Sequence, residues 1–448
     1  MVVRPSTSQV RSPSRSVHDR AAVWHDSSLT GPYGHRTDGG QLVSLDLRTR
    51  TDADIRSVTT REFFDSELPG LVASRGHLAR AGARELGVEP LAFETPSGTW
   101  TLALDGDELT VTPGDTGRAR VRFSDADIAD LVNDLKTPMT FITAGTLHVE
   151  RGNLGDVLDW WVVLRALVDG RAAYTVGSID FRDRAGAALD LHRSFTPDDD
   201  DAEIAHFLAE AGFLHLRGWF DADAMARIAA DMERALPTYT RDDGRSWWAK
   251  TADGADRCVR MQSFHEHSPT TGELLDGDAL ARIGGFADDG YVPRRAGNRI
   301  EALVKPIGVV EGISDVPWHK DCSLGMHSYN CCSLTVGVSV TGADSRSGQL
   351  RVVAGSHRAL VQPAFVRPEW ALPVVDLPTA AGDATVHCSC TLHMAQPPVE
   401  RERKVMYTGF GLPPLAPAGE ERTRAVASIS AVREASYKNV SQAPARNP

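Results

Sequence analysis

No run of eighteen or more apolar residues interrupts this 448-residue chain, so nothing in it reads as a membrane-spanning helix. Its amino-terminal stretch carries basic residues and serines without the apolar segment a secretory signal requires, which makes a cytoplasmic address the expectation. Cysteine is sparse. The six are Cys258, Cys322, Cys331, Cys332, Cys388 and Cys390, all in the C-terminal half, and a disulfide framework is not expected in a long chain without a secretory leader. The Cys331-Cys332 and Cys388-Ser389-Cys390 pairs lack the spacing of a zinc knuckle, so all six read as small core thiols. Long basic stripes are absent too, and a formal net charge of -12 argues against nucleic acid or an anionic membrane as the main partner. What remains is a chain of 42% hydrophobic and 24% charged residues, ordinary for a globular protein of two or three domains.

Residues 1–50 are rich in Ser, Arg and Gly and show no sustained apolar period, the pattern of a disordered leader. Residues 55–182 read as an α+β unit. Helical periodicity over 61–81, with a break expected at Pro69-Gly70, and over 125–135 and 154–168 brackets alternating strands at 100–104 and 118–123. Ser124 is placed to cap a helix, and Asp105-Gly106 to turn a hairpin. The Trp160-Trp161 pair lies in an amphipathic helix, where such pairs pack cores more often than they line ligand pockets. At Thr196-Pro197 and the four aspartates that follow, an acidic linker opens a second domain, 195–415. There, helices over 202–211 and 222–236 and a strand at 213–218 precede a polar loop with Trp247-Trp248. Short strands then dominate: 300–305, 332–340, 349–353, 384–387 and 405–410, punctuated by Gly and Pro as in a double-sheet barrel. Residues 416–448 form a Pro-, Ala- and Arg-rich peripheral tail.

The chemistry concentrates in Trp318-His319-Lys320-Asp321 and in Thr391-Leu392-His393. Residues i and i+2 of an extended chain share a face, so His319 and Asp321 can address one ion. A second imidazole would complete a two-histidine, one-carboxylate set that leaves coordination positions open, as non-haem Fe(II) oxygenases require. His387 and His393 compete for that third place by position alone.

Ordered motifs then point to a family. "EAGFLHLRGWFDADAM" (210–225), "VPWHKD" (316–321), "SGQLRVVAGSH" (347–357), "AGDATVHCSCTLHMAQPP" (381–398) and Arg403 resemble the phytanoyl-CoA dioxygenase family of Fe(II)/2-oxoglutarate oxygenases. The resemblance implies a mainly-β double-stranded β-helix, of jelly-roll or cupin type, with flanking helices. It implies His319, Asp321 and His393 as both the metal ligands and the catalytic set, with His387 either supporting a ligand or packing in the core, and Fe(II) and 2-oxoglutarate as cofactors. Arg403 would clamp the distal carboxylate as a planar bidentate donor. Arg401 is a rival, disfavoured because Arg403, Val405 and Tyr407 alternate with one another. Lys305 and Thr335 are candidate cosubstrate contacts, and His357 is expected to hold a turn. In the N-terminal half, "WTLALDGDELTV" (100–111), "FSDADIADLVN" (123–133) and "TAGTLHVERGNLGDVLDWW" (143–161) resemble a sterol-carrier-protein-like domain, whose helices cover an apolar tunnel.

Three positions depart from the oxygenase pattern. Gly337 stands where an aromatic residue is common and is expected to leave room near the metal; Lys320 replaces a common Gln, and Ala354 a Pro. Asp321 is intact, which disfavours a halogenase. The expected activity is oxidation, by default hydroxylation, of a small lipid-like or acyl-linked molecule by O2 in specialised metabolism, with Trp247-Trp248, Arg257, Arg260, Gln262 and His265 near the substrate. The alternatives are a lipid-binding or scaffolding protein with an inactive oxygenase half, and a metal-dependent isomerase on the same barrel.

Overall fold

The computed structural model describes residues 34–36, 42–44 and 56–411, apart from 288–289, 296, 313 and 325–332. Two three-residue strands, Gly34–Arg36 and Leu42–Ser44, pair antiparallel. The rest of the leader, the 416–448 tail and Cys331-Cys332 lie outside the described residues.

The first unit opens on helix α1 (Leu68–Leu86). Helix α1 itself runs unbroken past Pro69-Gly70, with Pro69 in its first turn. The irregularity lies just upstream, as a π-turn over Phe63–Glu67. A five-stranded sheet follows: β1 (Leu91–Thr95), β2 (Gly98–Asp105), β3 (Glu108–Pro113), β4 (Ala119–Arg122) and, after two short helices, β5 (His148–Arg151). Its spatial order is β3-β2-β1-β4-β5, with β1 and β4 parallel. Helix α2 (Asp125–Val132) is capped by Ser124 through a reciprocal capping box. It stops short of the expected Leu135 because Asp134 takes a positive φ of 58°. Helices α3 (Pro138–Ala144) and α4 (Leu154–Asp169) complete the unit.

The second unit begins with α5 (Asp201–Ala211), β6 (Phe213–Leu216) and α6 (Ala222–Ala235). The segment with Trp247-Trp248 is a pair of antiparallel strands rather than a polar loop: β7 (Ser246–Thr251) and β8 (Asp256–Met261). Their polar side chains hid them from a reading based on apolar alternation. Helices α7 (Pro269–Asp276) and α8 (Asp278–Gly284) follow. Then come β9 (Glu301–Lys305), β10 (Val309–Glu311), β11 (Ser333–Ser339), β12 (Leu350–Val353), β13 (Val374–Leu377), β14 (Ala384–Cys388), β15 (His393–Ala395) and β16 (Arg403–Gly411).

The large sheet runs β10-β7-β8-β9-β16-β11-β14-β6 and the small one β13-β12-β15, all antiparallel, an arrangement consistent with the expected jelly-roll class. One face of the large sheet, with Ala302, Val304, Val336, Val386 and Met406, packs into a core shared with α5 to α8. Alternation turns the opposite face, with Glu301, Lys305, Thr335, His387, Arg403 and Tyr407, toward the interior. The register sets Lys305 opposite Arg403, Glu301 opposite Tyr407, Tyr407 opposite Gly337, and Thr335 opposite His387.

A segment after β12 ties the units together. Leu360, 4% exposed, is inserted in the core of the first unit. Arg367 bonds Asp159 of α4 and the Leu86 carbonyl, and Arg171 bonds the Arg358 carbonyl. Among the described residues no helix is long and apolar enough to cross a membrane.

Candidate metal centre

The two histidine segments meet through backbone pairing: His319 and His393 exchange both N–H···O bonds at 3.0 Å. The expected strand at His319 is thus reduced to a single bridge, and the chain turns at once into a short 3-10 turn at Asp321–Leu324. Alternation still holds across the tripeptide. Lys320 points away, its ammonium donating to the carbonyls of Ser356 (2.8 Å) and Ala359 (3.4 Å), so it braces the turn behind the site rather than facing a cosubstrate.

His319, Asp321 and His393 converge, each offering a ligand atom within 4.8 Å of the others. Nε2 of His319 and of His393 lie 3.3 and 3.7 Å from Asp321 Oδ1. The Nδ1 atom of His319 lies 2.7 Å from the Pro317 carbonyl, and that of His393 lies 2.9 Å from the Thr391 carbonyl. A carbonyl only accepts, so Nδ1 carries the proton in each neutral ring and Nε2 presents a lone pair. Burial, with His387 and His319 adding to it, holds the His393 pKa well below its ordinary value. Burial opposes ionisation of Asp321, yet His393, His319 and His387 outweigh it and keep the carboxyl well below its usual range. Two lone pairs and an anion facing one another at these distances are reconciled by a shared cation, and a two-imidazole, one-carboxylate set suits Fe(II).

The other candidates fall into place around this centre. Thr335 is adjacent, but its hydroxyl donates to Asp321 Oδ2 at 2.8 Å. Lys305, 2% exposed, donates to the Ser314 carbonyl at 2.5 Å and to Asp315 at 3.0 Å. Burial lowers its pKa to about 8, with Arg403 adding to the effect and Asp315 opposing it. Arg403 is 3% exposed, and its Nε and Nη2 have no hydrogen-bond partner among the described residues. Arg401 lies on the surface, paired with Asp344. Unlike Arg401, therefore, Arg403 is a buried cation with unused donors on the interior face, the feature a carboxylate-bearing cosubstrate needs.

Gly337 leaves no empty space. A Cβ there would lie 2.9 Å from the Tyr407 ring and 2.8 Å from Thr385 Oγ1, so the cross-strand tyrosine fills the expected gap. His357 bonds the Ala209 carbonyl at 2.9 Å and packs on Gly212, whose φ of 83° and missing Cβ admit the ring. Trp247 lies under Arg260 at 4.3 Å, and Arg260, Gln262 and Asn298 all bond Glu301. Asn298 and Glu301 escaped the sequence reading, since neither belongs to a motif. Cys258, Cys322 and Cys388 are buried and Cys390 is half-buried.

Fold and site together define the class: mainly antiparallel sheets with flanking helices around a candidate two-histidine, one-carboxylate metal site. Residues 208–401 match the family described as Phytanoyl-CoA dioxygenase (PhyH), so this part of the chain is a domain of that family. Among solved structures, AviO1 from Streptomyces viridochromogenes Tue57 is similar at 22% identity, covering 49% of this chain and 98% of its own, with a TM-score of 0.39. EctD from S. alaskensis, solved with 2-oxoglutarate and 5-hydroxyectoine, is similar at 20% identity over 52% of this chain and 83% of its own, TM-score 0.39. SnoN, an alpha-ketoglutarate-dependent epimerase from nogalamycin biosynthesis, is similar at 22% identity over 47% of this chain and 79% of its own, TM-score 0.37. No curated protein matches the chain.

Proposed function

We propose that the protein is an Fe(II)- and 2-oxoglutarate-dependent oxygenase that oxidises a small organic molecule with O2, by default through hydroxylation. The observation that carries this reading is the pair of Nε2 atoms facing Asp321 Oδ1 in a fold that also buries Arg403, whose Nε and Nη2 have no hydrogen-bond partner among the described residues. His319, Asp321 and His393 are the proposed ligands, and Arg403 holds the distal carboxylate of 2-oxoglutarate. Lys305, next to it across the strands, adds positive charge to the same end. Thr335, expected as a cosubstrate contact, is proposed instead to support Asp321. Iron held by these residues would supply the oxidising chemistry, with 2-oxoglutarate and O2 as co-reactants. The protein's part is positional: carbonyls of Pro317 and Thr391 fix both imidazole tautomers, and Asp321 offsets the metal charge.

The proposed domains remain 55–182 and 195–415, supported by two separate cores joined through Leu360. A lipid-like or acyl-linked substrate is proposed from the pairing of the two domains; the apolar cavity of the first unit, lined by Phe63, Phe93, Phe123, Ile128, Val157 and Trp161, is small, about 30 Å³. Anaerobic addition of Fe(II) and 2-oxoglutarate should give the weak visible charge-transfer band of the chelate, and Asp321→Ala should abolish it. A band that survives this substitution, or no band in the wild type, would overturn the reading.

A further inference from the structure

We infer that His387 is a positioning residue which, with Thr335, holds Oδ2 of Asp321 so that Oδ1 alone addresses the metal. The inference rests on the metal reading above and extends it to how the carboxylate binds. His387 is 1% exposed, and neither ring nitrogen has a hydrogen-bond partner among the described residues. A buried imidazole so placed is costly unless another interaction compensates. Its Nε2 lies 3.4 Å from Oδ2 of Asp321. Thr335, its cross-strand partner, donates to that same oxygen at 2.8 Å. The two oxygens of Asp321 are thereby divided: Oδ1 faces His319 and His393, while Oδ2 faces His387 and Thr335. The His387 ring also lies 4.0 Å from that of His393, packed against a ligand it does not replace.

The division has a chemical consequence. A carboxylate that binds through both oxygens uses two coordination positions, whereas one held back by a second donor pair uses one. With two imidazoles, this leaves three positions open for a chelating keto acid and O2. His387 thus preserves the number of open positions without touching the metal.

The test is Co(II) and Fe(II) affinity by anaerobic chelator competition, together with the visible spectrum of the Co(II) protein. His387→Leu should weaken binding about 10- to 100-fold, the range for loss of an outer hydrogen-bond partner, and shift the Co(II) bands. His387→Gln, whose amide N–H can reach the place of Nε2, should stay within a few-fold of wild type with its spectrum retained. Wild-type affinity and an unchanged spectrum in His387→Leu would overturn the inference. Should that variant not fold, His387→Asn, whose shorter amide cannot reach Oδ2, serves in its place; equal affinities of the Asn and Gln variants would overturn it equally. Failure of the metal reading looks different: wild type and Asp321→Ala would then bind Co(II) alike.

Discussion

Replacing Arg403 separates the proposed cosubstrate clamp from its surface rival. Arg403 is 3% exposed with two guanidinium nitrogens unpaired among the described residues, so a bound carboxylate would gain charge-assisted hydrogen bonds in a site that already bears the cost of burying the cation. Each such bond contributes about 1.5–3 kcal/mol. Two of them make Arg403→Leu weaken 2-oxoglutarate binding by ~3–6 kcal/mol, or about 10²–10⁴-fold. Arg403→Lys keeps a point charge without the planar fork and should fall between. Arg401→Ala is the control. It breaks only an exposed, solvent-screened pair with Asp344 and should leave 2-oxoglutarate affinity within about twofold. Anaerobic titration of the Fe(II) protein, followed by its chelate band, gives all four dissociation constants. An Arg403→Leu constant within threefold of wild type, or a large loss in Arg401→Ala, would refute the assignment.

Other consequences follow from the packing. Burial, with Arg358 adding to it, lowers the His357 pKa from 6.5 to about 3. The folded protein therefore binds fewer protons there than the unfolded chain, and stability present above pH 6.5 is lost as pH falls toward 3, at ~1.4 kcal/mol per unit. Urea unfolding at pH 7 and pH 5 should show a loss of ~2 kcal/mol from this group, and a His357→Gln variant without that slope is the expected outcome. Gly337→Ala should cost ~1–3 kcal/mol by overpacking, and Tyr407→Ala in that background should recover part of it; strict additivity of the two melting shifts would contradict the contact. Leu360→Ala should cost ~2–4 kcal/mol, and an unchanged melting temperature would mean that Leu360 does not join the two units.

Much of the barrel was legible because its strands are apolar on the helix-covered face and short enough for Gly and Pro to mark their ends. The first-unit hairpin and the Ser124 cap were likewise readable, since turn and cap chemistry is local. Strands β7 and β8 were not, because polar side chains such as those of Arg257 and Arg260 break the apolar alternation. The placement of His319 beside Asp321 was readable from spacing, but the direction of Lys320 depends on carbonyls 36 and 39 residues away. Gly337 illustrates the same limit. Its missing side chain suggested a void, yet the residue that fills it, Tyr407, is fixed by strand register that only the folded sheet reveals.

Oxygen-dependent conversion of 2-oxoglutarate to succinate by the Fe(II)-loaded protein tests the central claim most directly. Wild type should form succinate, even slowly and uncoupled from any added substrate, and Asp321→Ala, with its fold verified by circular dichroism, should form none above background. Succinate formation at an equal rate in both, or in neither, would contradict an oxygenase centred on His319, Asp321 and His393.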